Sequence, residues 1–355
     1  MAAPIEPGPP ARLARPGALR DAAHWVLIAA GAWWLLGELA GVLRPLLLAA
    51  FLGYVLMPYY TRLRHHLPAP VAITLVAGAT TAVLVGLTWA VYASLLGLTD
   101  ELPAVRGRVS EVAAEARRWA AGVPYFGGTA QDTLAAAEEQ AAVWLPRAAG
   151  RTVNVAAGAL LEAAAAGLYL LFLMLESRQF PARVRAAYPA DRAEHILAVF
   201  GRINAAIISY LKAKVLSSLA LAAPAGLVLA ACGVRFALLW AVLTFLCNFI
   251  PYVGSVVAYS LPVGFAAVQL GVGGWWFAVA GLLLGIHVAS ASMVEPLILG
   301  RVTGLSPVVI LAALSVWGLL WGLPGMFLAV PLTVVLKLVF ENIKATRPAA
   351  RLLGG

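Results

Sequence analysis

EPLILGRVTGLSPVVILAALSVWGLLWGLPGMFLAVP, residues 295–331, decides how the whole chain is read. It is almost wholly apolar, yet Gly300, Gly304, Ser306, Pro307, Gly318, Gly322, Pro324, Gly325 and Pro331 interrupt it. A helix that only spans a membrane has no use for so many breakers, because each weakens the helix or frees a backbone group. In lipid, freed N–H and C=O groups must be satisfied by protein or by a water-lined cavity. A broken apolar segment therefore reads as one wall of a buried polar site. The plainer alternative is a kinked packing helix, since Gly and Pro are commoner in membrane helices than in soluble ones.

The composition agrees with a membrane setting. Hydrophobic residues make up 62% of the chain and charged ones only 12%, with a mean hydropathy of +0.89. Soluble domains carry about 25% charge, so the chain reads as an all-α polytopic membrane protein. The excess of 25 Lys and Arg over 16 Asp and Glu does not imply nucleic acid. Basic residues collect on the cytoplasmic side of membrane proteins, and 16 of the 25 fall in four segments that one topology places on one side. These are the N-terminal tail, the 61–68 loop, the 176–214 linker and the C-terminal part. Both termini are therefore expected inside, with a bacterial inner membrane as the setting and the lipid bilayer as the first partner.

In chain order, residues 1–24 read as a disordered cytoplasmic tail. Residues 25–96 hold three spans, the first retained rather than cleaved. Residues 97–152 carry seven acids and six bases and no positive bias, so they are placed outside. There Val105, Val109, Val112, Ala116, Trp119 and Val123 form an apolar stripe at helical spacing, GVPYFGG (122–128) is a turn, and Thr129 with Asp132 offers a capping box. A fourth span occupies 153–175, with Glu162 among small residues that suit close packing. Residues 176–214 form a basic amphipathic linker in which Lys212 and Lys214 are expected to snorkel. The transport core follows at 215–340, and 341–355 is a cytoplasmic tail.

Within that core lie two matched broken segments, 236–270 first and 306–340 second, the latter overlapping the stretch quoted above. FALLWAVLTFLCNFIPYVGSVVAYSLPVGFAAVQL (236–270) breaks at Asn248, Pro251 and Gly254 and again at Pro262. Each broken segment is about 35 residues, or ~52 Å as straight helix, against a hydrocarbon core of ~30 Å. Each is therefore either a tilted, kinked span or a hairpin whose half-helices meet near the midplane. Hairpins are preferred, the first entering from outside and the second from inside. The count is then about six transmembrane helices plus two re-entrant hairpins, or eight spans if the hairpins traverse.

Motifs for ATP-driven or hydrolytic chemistry are missing. There is no GxxxxGK[ST], HExxH or GxSxG and no Cys/His cluster, so no enzyme activity, cofactor or metal is expected. Cys232 and Cys247 read as packed thiols. What the chain offers instead is a set of neutral hydrogen-bonding and backbone-exposing residues. In NFIPYVGS (248–255), Pro251 removes a donor and Gly254 permits close approach, while Asn248, Tyr252 and Ser255 supply polar groups. Ser306, Pro307, Gly318, Gly322 and Gly325 are their counterparts in the second segment. Such a site suits a small polar, hydroxylated solute. Glu295 and His287 are the coupling candidates for H⁺ or Na⁺. Glu295 otherwise reads as an interfacial helix-end carboxylate, and His287 as a hydrogen-bonded packing residue.

NFIPYVGS (248–255), EPLILGRVTGLSPVVILAALSVWGLLWG (295–322), PGMFLAVPLTVVLKL (324–338) and PLLLAAFLGYVLMPYYTRL (45–63) resemble the AI-2E family of bacterial transporters. The likeness runs from about residue 25 over nearly the whole chain, and 295–338 resembles most its autoinducer-2-exporting branch. One departure is YLKAK (210–214), where many members have Tyr-Leu-Arg-Gly-Gln. The resemblance implies a homo-oligomeric inner-membrane secondary transporter. A sodium or lithium/proton antiporter is the first alternative, and a non-transporting membrane scaffold that binds a partner through 97–152 is the second.

Overall fold

A computed structural model describes residues 16–101, 127–177, 179–295, 304–343 and 346–354, with isolated positions between 103 and 118 and at 297. The apolar stripe expected at Val105 to Val123 lies outside the described residues, as do most of the GVPYFGG turn and Gly300. What is described is helical, and one isolated bridge between Leu305 and Gly354 is its only β pairing.

The helices are α1 (Pro16–Glu38), α2 (Ala40–Arg64), α3 (Ala69–Asp100), α4 (Gly127–Ser177), α5 (Phe180–Ala187), α6 (Ala190–Ala231), α7 (Ala237–Cys247), α8 (Val253–Leu270), α9 (Gly274–Ala289), α10 (Pro307–Asn342) and α11 (Arg347–Leu353). A π-helical turn, Ser290–Val294, extends α9. Seven helices among the described residues are long and apolar enough to cross a membrane: α2, α3, the 150–177 part of α4, α6, α8, α9 with its π turn, and α10. The protein is an all-α polytopic membrane protein. In the long apolar helices, hydroxyls that would otherwise face lipid unpaired bond back one turn. Thr80, Thr81, Thr88 and Ser94 of α3 each donate to the carbonyl four residues earlier.

Several element boundaries differ from those read in the sequence. The expected 97–152 segment and the following span are not separate units, because α4 runs unbroken for 51 residues, or ~76 Å. It is already helical at Gly127, ahead of the cap expected at Thr129. Likewise α6 passes through the expected boundary at 214/215 as one 42-residue helix of ~63 Å. Local composition changes along these helices, but the backbone stays helical through both expected boundaries.

The molecule has two packed groups. In the first, α2, α3 and α4 bury Ala49, Tyr60, Ile73, Ala77, Ala166 and Leu170. Small residues allow the approach, and Gly167 lies so close to Thr81 that a Cβ would collide with its side chain. Glu162 of α4, set inside an apolar span, meets Arg44 of α2 at 3.3 Å. The second group is built on α6. Its C-terminal half packs on α7, α8 and α9 through Ala225, Leu229, Trp240, Ala266 and Leu283. Its earlier part packs on α10 and α2 through Ile207, Leu211, Phe51, Leu328 and Val334.

Both broken segments fold back on themselves. At the base of the first, Gln269 joins Arg235 N–H (2.7 Å) and Gly233 C=O (2.8 Å), and Phe265 contacts Phe236 and Trp240. The second base is closed by Lys337, which donates to Gly304 C=O at 2.6 Å. Its arms join at Gly322, where φ is 65° and ψ −142°. The two bases lie toward opposite ends of α6. The first follows directly on its C-terminus, and the second meets its earlier turns through Arg202 and Asn342 (2.7 Å). The two fold-backs thus have their bases toward opposite ends of one long helix.

Candidate functional site

The tip of the first hairpin is a short, sharply bent segment. Pro251 C=O accepts from Val253 N–H at 2.7 Å across Tyr252, whose φ of 63° and ψ of −62° make a γ-turn. A non-glycine residue held there costs about 1–3 kcal/mol, which the surrounding packing must offset. Gly254 lies against the backbone of Cys247, and a Cβ would fall on the Cys247 carbonyl. The close approach expected of this glycine is therefore present. Asn248, only 5% exposed, caps α7 and donates Nδ2–H to Ser218 Oγ of α6 at 3.0 Å. Ser218 is itself buried. The bond ties the tip to the middle of α6.

A cavity of about 350 Å³ opens beside this tip. α6, α8, α9, the π turn and the α7–α8 junction wall it. Asn248, Ser255, Tyr259, Ser260, His287, Ser290 and Glu295 supply its polar groups, and Leu221, Val256, Leu284, Val288 and Ala291 most of its apolar surface. His287 Nδ1 bonds Leu283 C=O at 3.0 Å, so that nitrogen carries the proton. Its Nε2 is buried with no hydrogen-bond partner among the described residues. Tyr259 stands edge-on to the His287 ring at 5.5 Å.

Glu295 follows the π turn and closes it, donating its N–H to Ser290 C=O five residues back. The wide turn shifts the phase of the chain, as such turns often do at functional sites. The carboxylate meets Lys214 of α6, with Nζ to Oε1 at 2.8 Å. Lys214 was expected to snorkel outward; instead it is 3% exposed and points inward, because its ammonium has a carboxylate partner there. Glu295 is 38% exposed on the cavity side.

The expected site residues thus divide into three places. Asn248, Ser255, His287 and Glu295 share the cavity. Pro251, Tyr252 and Gly254 shape the tip beside it. Ser306, Pro307, Gly318, Gly322 and Gly325 belong to the second hairpin and do not line this cavity. Ser306 caps α10 by accepting from Val309 N–H at 3.3 Å, and Pro307 is its first residue. Gly325 passes so close to Trp317 C=O that a Cβ would overlap it, and a Cβ on Gly318 would come within 2.8 Å of Met326 Cε. The hairpins do meet, through apolar groups: Phe249 stacks on Phe327 at 4.4 Å, and Ile250 packs on Ala313, Leu314 and Ala329. Tyr259, Ser218 and Ser290 were missed in the sequence, where an isolated hydroxyl in an apolar helix gives no signal of direction. Lys214 did leave one, as a charged departure in YLKAK. Cys232 and Cys247 are free and half-buried, and no metal-holding group of three or more His, Cys, Asp or Glu occurs among the described residues.

Comparison with known proteins places this architecture. The model of the AI-2E family transporters matches residues 23–345. YhhT of Escherichia coli (strain K12) is 30% identical over 318 residues, covering 89% of this chain and 88% of its own. The AI-2 transport protein TqsA of the same strain is 36% identical over 188 residues, 52% of this chain and 53% of its own. A Haemophilus influenzae relative is 35% identical over 190 residues, 53% of this chain and 54% of its own. The chain thus aligns with about half the length of those last two and nearly nine tenths of YhhT. With seven helices among the described residues long and apolar enough to cross a membrane, and a match over residues 23–345, the chain belongs to the AI-2E family of transporters.

Proposed function

We propose that the protein is a secondary exporter of a small, polar, hydroxylated solute of the autoinducer-2 class, and that the cavity between α6, α8 and α9 is its solute site. The observation that carries this reading is the cavity wall. A volume of about 350 Å³ falls within the range of small-ligand sites, and its polar lining is hydroxyl, amide and imidazole apart from Glu295, whose charge is paired with Lys214. A neutral hydroxylated molecule can exchange its water hydrogen bonds for these groups without burying an unpaired charge. The partial likeness to a protein named as an AI-2 transporter supports this solute class. The first hairpin supplies the site directly. The second supports it from behind through Phe327 and Ala329.

In this reading both hairpins are re-entrant, both termini are cytoplasmic, the membrane is the bacterial inner one and the working unit is a homo-oligomer. The deciding experiment is flux of autoinducer-2 in proteoliposomes holding the wild type or Ser255→Ala. Wild-type flux above empty liposomes, reduced in Ser255→Ala with assembly unchanged, supports the assignment. No wild-type flux in either direction, with or without ion gradients, sinks the solute class.

A further inference from the structure

The Lys214–Glu295 pair lies at the cavity, yet no step of solute binding requires it. A buried lysine is rare without a partner, and this one has Glu295 Oε1 at 2.8 Å. The phenol oxygen of Tyr210, one turn earlier on α6, is buried with no hydrogen-bond partner among the described residues. Four residues apart on one helix, Tyr210 and Lys214 lie on the same face of α6. The arrangement thus combines a cavity-facing carboxylate, a nearby unpartnered oxygen and a cation between the helices. Hard cations are held by oxygen ligands such as carboxylates, and Na⁺ and Li⁺ are hard cations. Here the cation is covalently part of α6.

We propose that Lys214 is a built-in counter-cation, whose ammonium fills the place at which Glu295 would otherwise hold Na⁺ or Li⁺. The wild-type protein then binds no alkali cation at Glu295, and replacing Lys214 with a neutral oxygen-bearing side chain creates such a site. In Lys214→Gln the carboxamide oxygen and the Glu295 carboxylate face the vacated space, with the Tyr210 phenol close by. The inference rests on the proposed cavity being the functional site, but cation binding is read without any solute. Failure of the solute assignment in flux assays is therefore distinguishable from failure here.

The test is equilibrium binding of radiolabelled sodium to purified full-length protein in detergent. The wild type and Lys214→Arg, which keeps the cation, are expected to give no saturable signal. Lys214→Gln is expected to gain saturable binding severalfold above wild type, competed by Li⁺ and lost again in Lys214→Gln/Glu295→Gln. Saturable sodium binding in the wild type that Glu295→Gln removes would overturn the proposal. A folded, monodisperse Lys214→Gln protein that binds no more sodium than wild type would do the same. Should Lys214→Gln fail to fold, Lys214→Asn, which also carries a neutral carboxamide oxygen, takes its place, read by thermal unfolding in NaCl against N-methylglucamine chloride. Sodium-specific stabilisation supports the proposal and its absence overturns it.

Discussion

The two hairpins share one construction and differ in what they present. Each reverses direction at a break where a glycine passes against a carbonyl seven or eight residues earlier, Gly254 on Cys247 and Gly325 on Trp317. Each tip has one residue at positive φ, Tyr252 in the first and Gly322 in the second. The first tip, however, ends in Asn248 and Ser255 and faces a cavity whose largely apolar wall carries a few polar groups. The second ends in Trp317, Trp321 and Met326, and Trp321 Nε1–H donates to Leu36 C=O of α1 at 2.9 Å. The same backbone device therefore serves a site in one case and an anchor in the other. The glycines and prolines set the fold-back, and the polar side chains beside them set its use.

The sharpest way to break this comparison is topological. Cysteines at Arg235 and Val272, beside the first base, should label with an impermeant thiol reagent from one side of the membrane only. Cysteines at Val308 and Ile343, near the second base, should label only from the other. Opposite-side labelling within either pair would mean a traversing helix rather than a hairpin.

Next in size come the glycines at the tips. Gly254→Ala and Gly325→Ala each place a methyl on a backbone carbonyl that cannot swing away. Overpacking of this kind costs about 1–3 kcal/mol, and both variants should lower the thermal midpoint of the detergent-purified protein. The same test applied to Gly322→Ala isolates backbone strain, because a Cβ there meets open space while φ is 65°. An unchanged midpoint in Gly254→Ala would show that the two tips are not equivalent.

A smaller effect separates site from anchor. Asn248→Ala removes the amide that joins the first tip to Ser218. It also removes a polar group from the cavity wall; one neutral hydrogen bond to the solute contributes about 0.5–1.5 kcal/mol, so solute affinity should fall roughly three- to tenfold. Trp321→Phe keeps the packed ring and removes one bond of similar size to Leu36. It should cost stability and leave flux per folded protomer unchanged. Equal flux losses in the two variants would place both hairpins at the solute site.

Much of this architecture was legible in the chain itself. Long apolar runs identify the spans, because hydropathy is a property of local composition. Breaks at Asn248–Gly254 and Gly318–Gly325 are equally legible, since a missing proline N–H or glycine Cβ constrains the backbone whatever surrounds it. The segment lengths favoured hairpins over straight spans for the same reason. Less legible was where a helix stops when nothing breaks it, as in α4 and α6, whose lengths depend on packing along their sides.

The site was only half visible. Asn248, Ser255, His287 and Glu295 stood out as polar groups in apolar surroundings, but that they share one cavity depends on the rotational phase of α8 and α9 about their axes. Lys214 shows the limit most plainly. Its sequence position predicts a side chain reaching for water, and tertiary structure reverses this by bringing Glu295 to 2.8 Å after a π turn that no local pattern announces. Sequence alone determined that this is a membrane protein with two broken apolar segments, because those features follow from hydropathy and backbone sterics. Tertiary structure alone decided which hairpin faces the cavity and which charges meet there, because a contact between distant residues depends on helix phase and packing, which no single segment encodes.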